Sequence, residues 1–102
     1  MGTKNNPGAF DCYENAEPDE PMFILLARDP VAPWLVEIWA EIRKGDFAGA
    51  RVTFEHAILN PNVMKYLSRP TAEAKIDEAE VCASHMRNWR DAHYPMQAKV
   101  DL

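Results

Sequence analysis

Asp29-Pro30-Val31-Ala32-Pro33-Trp34-Leu35-Val36-Glu37-Ile38-Trp39-Ala40-Glu41-Ile42-Arg43-Lys44-Gly45 decides what kind of fold this chain can have. Leu35, Ile38, Trp39 and Ile42 recur at helical spacing on one face, with Glu37, Glu41 and Arg43 off it. Asp29 is a natural N-cap, and Pro30 fits a first helical position, where a missing N–H costs nothing. Pro33 clashes with that start, since proline beyond the first turn meets the preceding carbonyl. A helix opening at Pro33, with residues 29–32 as a turn, is the alternative. Lys44-Gly45 closes the helix, with a base in the last turn and a glycine after it.

Downstream, Asp46 can cap a second helix carrying Phe47, Ala50, Phe54, Ala57 and Ile58 at helical spacing, stopped by Asn60-Pro61. Gly49, Val52 and Thr53 lower its propensity, so packing must hold it. Residues 62–67 add a turn with Val63, Tyr66 and Leu67. The longest stripe follows Pro70-Thr71, with Thr71 as N-cap: Ala72, Ile76, Ala79, Cys82, Ala83, Met86 and Trp89. Glu73 in its first turn and Arg87 and Arg90 in its last agree with the helix dipole. Trp39 and Trp89, on these stripes, read as core.

Upstream lies Pro18-Asp19-Glu20-Pro21-Met22-Phe23-Ile24-Leu25-Leu26-Ala27-Arg28, an apolar run fenced by charge. The two prolines exclude a helix and favour an extended approach. Met22–Leu26 then reads as a short buried strand, with Phe10 and Tyr13 anchoring the arm before it. The reading is mainly α: a small helical domain over residues 10–92 with a short N-terminal strand or extended arm. In it the first and last stripes face each other as an antiparallel helix pair. Residues 1–9 and 93–102 are expected to be a flexible N-terminus and a flexible tail.

Length and charge narrow the function. At 102 residues and 47% apolar composition the chain suits one globular domain near the lower size limit for a stable core. Sixteen acids against eleven bases give a net charge of −5, which repels nucleic-acid polymers and anionic membranes. No apolar run approaches a membrane span, and Met1–Asn6 lacks a signal-peptide core and a myristoylation signal. Cys12 and Cys82 suit reduced thiols of a cytosolic protein better than a disulfide framework or metal site.

Catalytic machinery is hard to assemble from what remains. Glu55-His56 has no second ligand at metal spacing, and His85 and His93 read as ordinary histidines. Asp77, Glu78 and Glu80 form a solvated helix face rather than a paired acid and base. None of the four glycines makes a phosphate-cradling loop. No catalytic residue, metal or cofactor is therefore predicted, and the protein reads as a non-enzyme.

Arg28 and Asp29 stand out as opposite charges forced beside apolar surface. They can be a charge pair plus helix cap, or a recognition edge whose guanidinium forks onto phosphate or carboxylate. Tyr13, arriving on the preceding arm, and Trp34, a turn from Arg28, could offer aromatic faces to such a ligand.

The pattern Tyr13-x-x-Ala16-x-Pro18-Asp19-Glu20-Pro21-x-Phe23-x-Leu25-x-Ala27-Arg28-Asp29-x-x-Ala32-Pro33-x-x-Val36-x-x-Trp39-Ala40 resembles small, mostly uncharacterised proteins of tailed phages and prophages. Those proteins often close with a helix similar to Lys75-Ile76-x-Glu78-Ala79-x-x-Cys82-Ala83-x-x-Met86-x-x-Trp89-Arg90. The two blocks cover about half the chain and leave residues 47–71 unmatched. The resemblance implies a phage accessory protein in the host cytoplasm. Counter-defence by sequestering a small anionic ligand, such as a cyclic nucleotide immune signal, is the leading expectation, with Arg28, Asp29, Tyr13 and Trp34 as its site. A protein–protein inhibitor of a host enzyme, or a minor virion or assembly component, is the alternative. So small a core, rich in large apolar side chains, also predicts a homo-oligomer.

Overall fold

The computed structural model describes residues 3–9, 12–67 and 73–94. These form five helices: α1 (Cys12–Asn15), α2 (Ala32–Arg43), α3 (Phe47–Leu59), α4 (Pro61–Leu67) and α5 (Glu73–His93). The protein is mainly helical, and the described residues contain no strand.

α2 ends in a Schellman turn. Gly45 N donates to Ile42 O and Asp46 N to Glu41 O, both at 2.9 Å. Gly45 sits at φ 83°, a left-handed conformation that glycine adopts without a Cβ clash. Asp46 then starts α3, its Oδ1 accepting from Gly49 N at 2.9 Å. Asn60 repeats this economy at the next junction. Its N–H donates to Ala57 O at the end of α3, and its Oδ1 accepts from Asn62 N at 2.9 Å at the start of α4. Pro61, first in α4, has no N–H to leave unsatisfied.

α3 packs on both α2 and α4. The residues it buries are small, Ala50, Thr53 and Ala57, spaced so that they share one face. Small side chains let the backbones approach, and they push the large ones aside. Phe47, Phe54 and Ile58, which recur with them at helical spacing, are 68%, 53% and 42% exposed. On α2 the covered row is Trp34, Ile38 and Glu41, all half-buried. Trp39, expected in the core, is 59% exposed on the neighbouring row. The apolar stripe of α2 is thus covered along one flank only.

Two further expectations change. Met22–Leu26 runs as irregular backbone and each of its five side chains is partly exposed. A strand needs a neighbour to take its ladder hydrogen bonds, and the described residues offer none. α5 was expected antiparallel on α2, but no Cα of α5 comes within 8 Å of one in another helix among the described residues. α5 is tied instead to the apolar run, where Cys82 Sγ donates to Met22 O at 3.4 Å.

The arm is turned rather than extended at its prolines. Glu20 N donates to Glu17 O at 3.1 Å, with Pro18 at the second position that turns favour. Tyr13, expected to anchor the arm, is 71% exposed, while Phe10 and Thr71 lie outside the described residues. At the other end α5 runs through His93. His93 Nδ1 lies 2.8 Å from Trp89 O, so that nitrogen carries the proton, because a carbonyl only accepts. The two rings stack at 4.0 Å.

A Cβ on Gly49 would collide with the capping carboxylate of Asp46. Asp46→Ala should cost about 1 kcal/mol in urea unfolding through loss of the cap. Gly49→Ala should also destabilise, although alanine is the better helix former by about 1 kcal/mol. Combined with Asp46→Ala the sign of Gly49→Ala should reverse, since no cap remains to displace.

Candidate functional site

The turn between the apolar run and α2 is built almost wholly by Asp29. Its N–H donates to Leu26 O at 3.0 Å, and its carbonyl accepts from Ala32 N at 3.0 Å. Its Oδ1 accepts from Val31 N at 2.8 Å. This is an Asx turn, two residues along, rather than the expected N-cap. Val31 is the N-cap of α2 and has no side-chain cap bond. The physical reason is Pro33. It tolerates only the first helical turn, so the helix opens at Ala32 and Asp29 falls one turn outside.

Arg28 and Asp29 therefore part company. Asp29 is half-buried and bonds Leu26, Val31 and Ala32 within the turn. Arg28 is exposed, and its guanidinium makes no hydrogen bond or ion pair among the described residues. Trp34, one helical turn into α2, is half-buried.

Pro30, directly after this pair, lines an open cleft of about 410 Å³ with Asn62, Lys65 and Tyr66 of α4. Sequence reasoning did not single these residues out, since they lie in the unmatched segment. The signal available was a base followed by an aromatic, Lys65-Tyr66, on a short helix. An ammonium, an amide and a phenol on one wall suit an anionic or polar ligand.

Tyr13 is not brought to this cleft. Asn15, the last residue of α1, lines a separate cleft of about 250 Å³ with Ala16, Glu20, Pro21 and Met22. Glu20 places a carboxylate there, so that cleft does not favour anions. None of the four expected site residues lines the α4 cleft; Asp29 directly precedes Pro30, which does, and Arg28 lies one residue further back.

Among the described residues, no three His, Cys, Asp or Glu side chains come together as metal ligands. No described helix is long and apolar enough to cross a membrane. Compared with protein-family models, curated proteins and solved structures, the chain finds no match in any of the three.

The different duties of the two charged neighbours make a direct comparison possible. Asp29→Ala should lower stability by about 1 kcal/mol, as loss of a turn-forming side-chain bond does. Arg28→Ala should stay within about 0.5 kcal/mol of the parent, as surface substitutions do. Urea unfolding of both variants measures this.

Proposed function

We propose that this protein is a non-enzymatic accessory protein of a tailed phage, working in the host cytoplasm as a homo-oligomer. Its role in this reading is counter-defence by sequestering a small anionic ligand, and a cyclic nucleotide immune signal is the class that fits best. The observation that carries it is the exposed Arg28 beside the turn leading to the Pro30, Asn62, Lys65 and Tyr66 cleft. Asp29 spends its carboxylate on the turn, which leaves the Arg28 charge for a partner from outside.

Arg28 and Lys65 then supply charge-assisted hydrogen bonds to phosphate, and Tyr66 offers a ring at the same wall. A volume of about 410 Å³ falls in the range of small-molecule sites. Trp34 and Tyr13 stay in this reading as aromatic faces for the ligand, although neither lines the cleft.

Calorimetric titration with a panel of cyclic di- and trinucleotides tests the reading. Binding without turnover is expected, weakened at least about tenfold by Arg28→Ala or Lys65→Ala, as removal of a charge-assisted bond implies. No heat with any of them at concentrations well above micromolar would remove it.

A second reading, inhibition of a host enzyme by direct binding, is favoured by Phe47, Phe54 and Leu59. These are 68%, 53% and 73% exposed in the segment that matches nothing in the resemblance. Under that reading, affinity capture from host lysate returns one stoichiometric partner, and Arg28→Ala leaves the capture intact.

A further inference from the structure

Met22–Leu26 has the side chains of a strand and no strand beside it. From Pro21 to Leu26 the chain makes neither turn nor bend, and a turn closes off each end, Glu17–Glu20 in front and Leu26–Asp29 behind. Met22 O accepts from Cys82 Sγ, and Leu26 O from Asp29 N. The backbone of Phe23, Ile24 and Leu25 makes no hydrogen bond among the described residues. All five side chains are between 37% and 60% exposed, Ile24 the most.

We propose that this segment pairs with the same segment of a second copy, as an antiparallel two-stranded ribbon centred on Ile24. The proposal rests on the homo-oligomer reading and names the surface that makes it. In an extended chain alternate residues turn their N–H and C=O groups to opposite edges. The bonds at Met22 and Leu26 set one edge against the molecule itself, and Phe23 and Leu25 hold the other edge free. Across a two-fold axis at Ile24, Phe23 of one copy lies opposite Leu25 of the other. Each such pair exchanges both of its N–H···O bonds, so the ribbon satisfies the main-chain groups of both residues. Ile24 meets its own copy between them, in the closely spaced position without hydrogen bonds. Met22 meets Leu26 on the same face.

Charge argues for a second copy and for the antiparallel sense. A two-fold contact needs a surface complementary to itself. Glu17 and Asp19 are exposed before the segment, and Arg28 is exposed after it, with no hydrogen bond or ion pair among the described residues. Antiparallel pairing brings the Arg28 end of one copy to the acidic end of the other, twice. Parallel pairing would set acids against acids and Arg28 against its own copy, which destabilises a ribbon.

Area is of the right order, and every side chain counted is exposed in the single copy. If side chains of this size present on the order of 200 Å² in full, the five leave roughly 450 Å² per copy. Two copies hold roughly 900 Å² of such surface, close to the ~1,000 Å² that a specific interface needs. Ala27 and Arg28, both exposed, and the paired backbones add to it.

Sedimentation velocity of the full chain across a concentration series tests this, with folding of each variant followed by circular dichroism. The parent should associate into species containing an even number of 11.6 kDa protomers. Ile24→Asp sets two carboxylates face to face at the axis and should raise the dissociation constant at least about thirtyfold, the scale of a hot-spot residue. Leu25→Pro removes an N–H that only the ribbon uses and should raise it at least about tenfold. Leu59→Glu, an exposed apolar position on α3, should change it less than about threefold. Register is read by oxidative cross-linking in a Cys12→Ser, Cys82→Ser background, where serine keeps a donor for Met22 O. Ile24→Cys should link two copies, its Cα atoms lying about 4.5 Å apart across the axis. Met22→Cys should not, since its two copies lie on the order of 13 Å apart, beyond disulfide reach.

A parent that is monomeric throughout would overturn both this ribbon and the homo-oligomer reading. Association that Ile24→Asp and Leu25→Pro leave unchanged, or that Leu59→Glu weakens equally, would overturn the ribbon alone. Linking by Met22→Cys as efficient as that by Ile24→Cys would overturn the antiparallel register.

Discussion

The short connection Lys44-Gly45-Asp46 is the constraint on which the rest of the structure depends. Gly45, at φ 83°, turns the chain and returns two orphan carbonyls of α2 to hydrogen bonds. Asp46 gives its N–H to α2 and its side chain to Gly49 of α3. One residue thus closes one helix and opens the next, leaving no slack between them. The pair α2 and α3 is brought together by local chemistry before any large side chain is buried.

What is buried between them is modest. Alanine and threonine on α3 permit close approach, but they fill little volume, and the larger residues of both helices stand at the margins. Among the described residues no large side chain is fully buried. For so small a domain this is a thin core, since apolar burial is the main term offsetting chain entropy. Trp39 and Phe54 stay exposed for the same reason, and in the proposed homo-oligomer covering them would couple stability to assembly.

At the candidate site, Asp29 and Arg28 are neighbours with opposite fates. Asp29 is short enough to bond its own backbone, and the proline two residues into α2 keeps it outside the helix. Arg28 makes no such local bond and stays in water, two residues before the Pro30 that lines a cleft with α4. The pairing of these two regions was not legible beforehand. Lys65 and Tyr66 lie far along the chain in a segment without resemblance to guide the eye, and nothing local ties them to Pro30. Tyr13, by contrast, was read as an anchor and possible stacking face on sequence proximity alone, and it lies exposed away from the cleft.

The junctions of α2 with α3 and of α3 with α4 were legible because their causes are local. Gly45, Asp46 and Asn60 act within five residues, and the end of α2, both ends of α3 and the start of α4 follow them closely. The sequence by itself therefore determined a helical chain, its turns and its apolar stripes. Only the tertiary structure decided which half of each stripe is covered, because burial depends on the shape of a distant partner surface. It also decided that Met22–Leu26 makes no strand, since a strand exists only where another chain segment takes its hydrogen bonds.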